Sequence, residues 1–177
     1  KILTNPIDYR FAICYLHLKY QMKQIKIFIS LTRLNKPIGF MLLFWPCTWG
    51  LTLGYFFDAD IVKYCQNIIL FFFGSVLMRS AGCIVNDIVD KNLDKKVERT
   101  KTRPIASGEI SVFKSLIYVM VLCLIAFMIL LQFNLLTIIL GMSSMILAFG
   151  YPFMKRITYW PQLFLGLTFN WGILMGW

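Results

Sequence analysis

The sequence predicts an all-α, multi-pass transmembrane bundle of about five spans, on three observations. Of its 177 residues, 59% are hydrophobic and 15% charged, against about half and about a quarter in a soluble domain. The apolar residues gather into long runs without charge, each of the length that crosses a bilayer as a helix. The 18 basic residues, which leave a net charge of +10, fall between those runs in a one-sided pattern.

The first 30 residues precede any span. Phe11, Tyr15, Leu18, Met22, Ile25 and Ile29 recur at alternating steps of four and three, the period of an amphipathic helix lying in the membrane interface. His17, within that helix, reads as a surface residue. The segment is basic and amphipathic, with no small-residue cleavage site after a short apolar run, so it does not read as a signal peptide. A transmembrane domain then occupies 31–177. Pro37 to Phe57 carries no charge and forms the first span. Tyr64 to Val85 forms the second, with Arg79 near its end, which a helix tolerates if the side chain snorkels or faces a polar cavity. The uncharged run from Ser115 to Met154 is broken near Gln132 and Asn134, which predicts spans at 115–133 and 135–153 joined by a very short turn. Ile157 to Trp177 is the fifth. Because the chain opens on Lys1 and stops inside an apolar run, it is expected to be the amino-terminal part of a longer protein.

With these spans, the basic residues before Pro37, those between Asp87 and Lys114, and the Lys155-Arg156 pair all fall on one side. The other side receives Asp58, Asp60 and Lys63. This is the positive-inside pattern, and it places the amino terminus in the cytoplasm. The basic excess therefore serves topology, which argues for a lipid bilayer as partner and against nucleic acid; attraction to anionic headgroups is an added possibility. Cys14, Cys47, Cys65, Cys83 and Cys123 are scattered singly and read as small buried hydrophobes, neither disulfides nor zinc ligands. Trp45, Trp49, Trp160 and Trp177 read as interface or packing residues.

The polar loop at 86–114 breaks this pattern. Asn86, Asp87, Asp90 and Asp94 would share one face if the second span continued as a helix past its membrane end. Three carboxylates on one stripe repel each other unless a cation holds them, and hard oxygen ligands without His or thiolate favour Mg²⁺. Magnesium keeps waters and is usually shared with substrate phosphates, to which Arg99, Lys101 and Arg103 would add direct contacts. A plainer alternative is a solvated helix laced by pairs such as Asp94 with Lys95, or Glu98 with Lys101 or Arg99.

The segment MRSAGCIVNDIVDKNLDKKVERTKTRPIASGEIS (Met78 to Ser111) resembles the first aspartate-rich region of the UbiA superfamily of membrane prenyltransferases. RLNKPIGFMLLFWPCTWG (Arg33 to Gly50) and YPFMKRITYWPQLFLG (Tyr151 to Gly166) extend the resemblance over nearly the whole chain from about Leu31 onward. It is greatest to the branch that prenylates 4-hydroxybenzoate in ubiquinone biosynthesis. The resemblance implies an all-helical intramembrane enzyme of nine spans around a central cavity. It would join a polyprenyl diphosphate to an aromatic acid, with Mg²⁺ as cofactor, in a bacterial inner membrane or a mitochondrial inner membrane.

By motif, Asn86, Asp87, Asp90 and Asp94 match the family's Asn-Asp-x-x-Asp-x-x-x-Asp, which holds Mg²⁺ and diphosphate; Asp87 and Asp90, nearest the membrane end where a buried diphosphate must stop, are the expected dominant ligands. Tyr151 and Lys155 match its Tyr-x-x-x-Lys pair beside the diphosphate, and Arg33 its basic position before the first span. The family's second motif, Asp-x-x-x-Asp, has no counterpart after Glu109. The 177 residues alone are thus expected to insert and bind Mg²⁺-diphosphate weakly without catalysing transfer. The alternatives are a relative with another acceptor, haem or a naphthoate, and an inactive fragment that binds Mg²⁺-diphosphate.

Overall fold

The computed structural model describes residues 6–177, with side chains from Cys14 onward except those of Asp58, Lys155 and Arg156. Among the described residues the regular structure is entirely helical: α1 (Pro6–Thr32), α2 (Ile38–Asp58), α3 (Ile61–Val89), α4 (Lys91–Asp94), α5 (Pro104–Ser107), α6 (Val112–Leu130), α7 (Leu135–Ile157) and α8 (Pro161–Gly176). Four stretches, Ile38–Phe57, Ile61–Val89, Val112–Leu130 and Leu135–Met154, are long and apolar enough to cross a membrane. The fifth expected span is a helix of 16 residues, about 24 Å long at the α-helical rise and so shorter than a hydrocarbon core of about 30 Å. Phe71 to Asp87 also lies inside one continuous helix, because α3 outruns the expected second span at both ends.

Local chemistry explains where the helices begin and end. Asp60 Oδ1 accepts the backbone N–H groups of Val62 and Lys63 and starts α3. Ser111 Oγ accepts from Lys114 N–H to start α6, and Asn134 Oδ1 accepts from Thr137 N–H to start α7. Each fills a donor that the first helical turn leaves orphaned. Asn134 is also the turn residue at which the long uncharged run divides.

Large apolar side chains, among them Trp49, Phe56, Phe57, Met120 and Ile146, point outward, as a surface in contact with lipid tails requires. Between helices, contact depends on small residues. α8 packs most extensively against α2, and a Cβ placed on Gly50 or Gly176 would overlap the backbone of the facing helix. Glycine lets the two backbones approach closely, which replaces the hydrophobic driving force that lipid removes.

The buried core lies where α1, α3, α5 and α6 meet: Ile27, Leu31, Ala81, Ile84, Ile105, Ile110, Val119 and Leu122. The last turns of α1 therefore belong to the bundle, while Tyr15, His17, Leu18, Met22 and Ile25 are exposed along its earlier length. Two of the cysteine expectations change. Cys47 and Cys83 are buried and Cys123 half-buried, but Cys14 and Cys65 are exposed, since each lies on the outward face of its helix.

Candidate functional site

Three apolar anchors set the charged site. Leu31, Ile84 and Ile105 are almost completely buried in the core, and each stands two or three residues from a charged group: Arg33, Asp87 and Arg103. Packing of the anchors brings the ends of α1, α3 and α5 to one end of the bundle. The charged groups follow.

The local backbone completes the placement. Arg33 ends α1 in a left-handed conformation, φ 55°, and turns the chain toward α2. Arg103 precedes Pro104, which restricts it to the extended backbone observed, φ −63° and ψ 142°. Pro104 opens α5 and Gly108 closes it at φ 84°, a region where only glycine is unstrained. The Arg-Pro-Ile-Ala-Ser-Gly stretch is thus a rigid bracket that holds Arg103. Upstream, Thr100 Oγ donates to the carbonyl of Asp94 at 3.1 Å and ties the bracket to the aspartates.

Within this frame, Arg33 Nη2 donates to Asp87 Oδ1 at 2.5 Å. Arg103 Nη1 reaches the same Oδ1 at 3.1 Å and Asp94 Oδ2 at 2.8 Å. One guanidinium nitrogen therefore bridges two carboxylates that lie on different helices. Asp87, Asp90 and Asp94 are all buried. The expected single helical stripe is broken, because α3 ends at Val89 and Asp90 caps it. Asp94 nevertheless returns to Asp87 through Arg103. Of the expected surface pairs, Glu98 with Lys101 is formed at 2.6 Å between exposed groups. Arg99 is likewise exposed, so neither Arg99 nor Lys101 joins the buried cluster.

A cavity of about 530 Å³ meets the cluster through Arg33, the partner of Asp87; Arg33 and Asn86 form its polar end, and Asp87, Asp90, Asp94 and Arg103 are not in its lining. Tyr151 lines it as well, next to the buried Pro152 inside α7. The side chain of Lys155 lies outside the described residues. Beyond this end the wall is mainly apolar and aromatic, with Phe71, Phe127, Phe133 and Trp171. Trp171 Nε1 donates to the carbonyl of Leu140 at 3.0 Å and so fixes its ring. Arg79 also lines the cavity, with its guanidinium 5.8 Å from the ring centre of Phe169. The site residues inferred from sequence did not include Arg79. Its signal is an arginine inside an apolar run, and the structure shows the cavity-facing placement.

The cluster supplies oxygen donors only. Among the described residues, no group of three or more His, Cys, Asp or Glu side chains converges as a metal cage. Two carboxylates that meet at one cationic atom still suit a divalent ion of the magnesium type, which is usually held by one or two carboxylates with the remaining positions left to water and phosphate. The residues present fit such a metal as a shared site.

Comparison with known proteins identifies the family. A model of the UbiA prenyltransferase family matches residues 43–177. The chain is 47% identical over 152 residues to a protein of Drosophila pseudoobscura pseudoobscura, 46% over 158 residues to one of Arabidopsis thaliana and 47% over 155 residues to one of Homo sapiens. All three are named 4-hydroxybenzoate polyprenyltransferase, mitochondrial. The matches cover 86%, 89% and 88% of this chain but 38%, 38% and 41% of those relatives, so the chain spans about two fifths of their length. No solved structure matches significantly.

Proposed function

We propose that this chain, which belongs to the UbiA prenyltransferase family, forms the part of a mitochondrial inner-membrane enzyme that binds a polyprenyl diphosphate and directs its prenyl group onto 4-hydroxybenzoate. The observation that carries this reading is one juxtaposition: a mainly apolar cavity of about 530 Å³ whose polar end is walled by Arg33 and Asn86, with Arg33 paired to Asp87 of the Asp87–Arg103–Asp94 cluster. A prenyl diphosphate has the same polarity, an apolar tail ending in a group of about three negative charges.

In this reading Asp87 and Asp94, with Asp90 beside them at the cap of α3, hold Mg²⁺ shared with the diphosphate. The metal, when bound, neutralises charge that develops on the departing diphosphate. Arg33, Asn86 and Tyr151 orient that group at the cavity wall, and Lys155 is assigned the second place of the family's Tyr-x-x-x-Lys pair from its position in the sequence. Arg99 and Lys101, exposed on the loop between α4 and α5, steer the anion inward. The aromatic rings of the wall exclude water from the allylic carbon and present their negative faces to developing positive charge. Arg79 offers a guanidinium inside an otherwise largely apolar wall, the group that pairs with a carboxylate in two-point fashion, and so receives the acid group of 4-hydroxybenzoate.

The test uses protein expressed from its complete gene and reconstituted in nanodiscs with Mg²⁺, labelled polyprenyl diphosphate and 4-hydroxybenzoate. Prenylated acid is expected, and Arg79→Gln should raise the KM for 4-hydroxybenzoate by at least about tenfold, the scale of one charge-assisted hydrogen bond. Absence of product with 4-hydroxybenzoate, and its appearance with a naphthoate or haem, would assign another acceptor.

A further inference from the structure

We propose that Arg103 is an internal stand-in for the metal: it holds Asp87 and Asp94 together while no divalent ion is bound, and it is displaced onto the phosphate oxygens when metal and diphosphate arrive. This rests on the proposed function above and deepens it.

Three features of the cluster lead to this assignment. Arg103 Nη1 sits between Asp87 Oδ1 and Asp94 Oδ2, at 3.1 and 2.8 Å. A divalent ion ligated by both carboxylates would need the same place, because magnesium–oxygen distances are about 2.1 Å and the two oxygens must both face it. Arg103 and the ion therefore compete for one position. The carboxylates are almost fully enclosed, whereas about a quarter of the Arg103 side chain is exposed (27%). Arg33 is exposed to a similar degree (29%) but pairs with Asp87 alone among the described residues; Arg103 is the exposed member that bridges both carboxylates.

The competition has a physical purpose. Two buried carboxylates without a counter-ion repel each other and splay, and a splayed site must be rebuilt each time a ligand binds. Arg103 supplies the missing charge and keeps the oxygens facing inward. Its backbone stays fixed by Pro104 and Gly108, so displacement needs only side-chain rotation. Asp87 keeps Arg33 as a second partner throughout. Once displaced, Arg103 is a planar donor at the mouth of a phosphate site, where a two-point contact to phosphate oxygens replaces the carboxylates.

The role predicts opposite effects on metal and phosphate. In the complete protein in nanodiscs, Mn²⁺ binding is measured by loss of the free-ion paramagnetic resonance signal without diphosphate. Retention of labelled inorganic diphosphate is measured separately at fixed Mn²⁺. Arg103→Gln should bind Mn²⁺ alone about tenfold more tightly, since the competing charge is gone, and retain diphosphate about tenfold less tightly, since one charge-assisted contact is lost. Thermal melting and size exclusion report whether the variant is folded. If Arg103→Gln is not folded, Arg103→Lys is measured instead, with the same two signs and smaller size.

A folded variant in which both affinities fall, or neither moves, would overturn the stand-in role while leaving the metal-diphosphate reading intact. If wild type and variant alike fail to bind Mn²⁺ and diphosphate, both readings fall.

Discussion

Arg33 and Asp87 pair at 2.5 Å across 54 positions of sequence, and Arg33 makes this contact from a left-handed backbone, φ 55°, where glycine is the ordinary choice. The left-handed conformation costs a non-glycine residue about 1–2 kcal/mol. A residue with the wrong backbone preference stands there because its side chain is needed.

Arg33→Gly and Arg33→Ala separate those two contributions. Both remove the guanidinium, so both should weaken binding of a prenyl diphosphate equally. Only glycine relieves the backbone, so Arg33→Gly should be more stable than Arg33→Ala by about 1 kcal/mol. Denaturation of the two variants in the same detergent measures the difference. Equal stability would show that the turn at Arg33 carries no strain.

Asp90→Asn should abolish prenyl transfer by the complete enzyme while membrane insertion stays intact, because it removes a ligand charge but little volume. Asp87→Asn should lose transfer and also stability, by about 3 kcal/mol, because Arg33 and Arg103 then lose a shared buried partner. Turnover and melting temperature together check the pair. Retention of most activity by Asp90→Asn at saturating Mg²⁺ would remove it from the metal site.

Gly176→Val should undock α8 from α2, at a cost of at least about 3 kcal/mol, since a Cβ there meets the backbone at Cys47 and Leu51. Gly166→Ala on the same helix, where a Cβ meets nothing within 4 Å, should be neutral or stabilising by up to about 1 kcal/mol. Equal effects on melting would show that the α2–α8 contact does not depend on close backbone approach.

Reporter fusions after Lys114 and after Asp60 should report opposite sides of the membrane, with the Lys114 side matching the amino terminus. The ends of α1, α3 and α5 that meet through Arg33, Asp87 and Arg103 all carry the basic side of the charge pattern. The same side for both fusions would overturn the span count.

Much of this was legible in the residues because it depends on local chemistry. Charge-free runs gave four spans and Asn134 gave the turn between α6 and α7, each through a rule that acts within a few positions. The rest depends on packing. No spacing shows that Arg33 reaches Asp87, because the contact is made by the burial of Leu31 and Ile84, which hold α1 against α3. The break at Asp90 was hidden because the helical period of the carboxylates continues in α4 after a single capping residue. Arg79 was visible as an anomaly, but its contact with Phe169 is made between α3 and α8 at the cavity that both residues line. The shortness of α8 was hidden too: Pro161 opens it late, so part of the apolar run after Ile157 is not helical.

The central claim is that a mainly apolar cavity and a charged cluster at its end together hold a prenyl diphosphate through a divalent metal. Its most direct test is retention of a labelled polyprenyl diphosphate by the protein in nanodiscs, with Mg²⁺ and with EDTA, beside the corresponding polyprenol. The account predicts that retention falls at least about tenfold in EDTA and that the polyprenol is held no better with Mg²⁺ than without. Equal retention of diphosphate and polyprenol, unaffected by EDTA, would contradict it, since the apolar cavity alone would then account for binding.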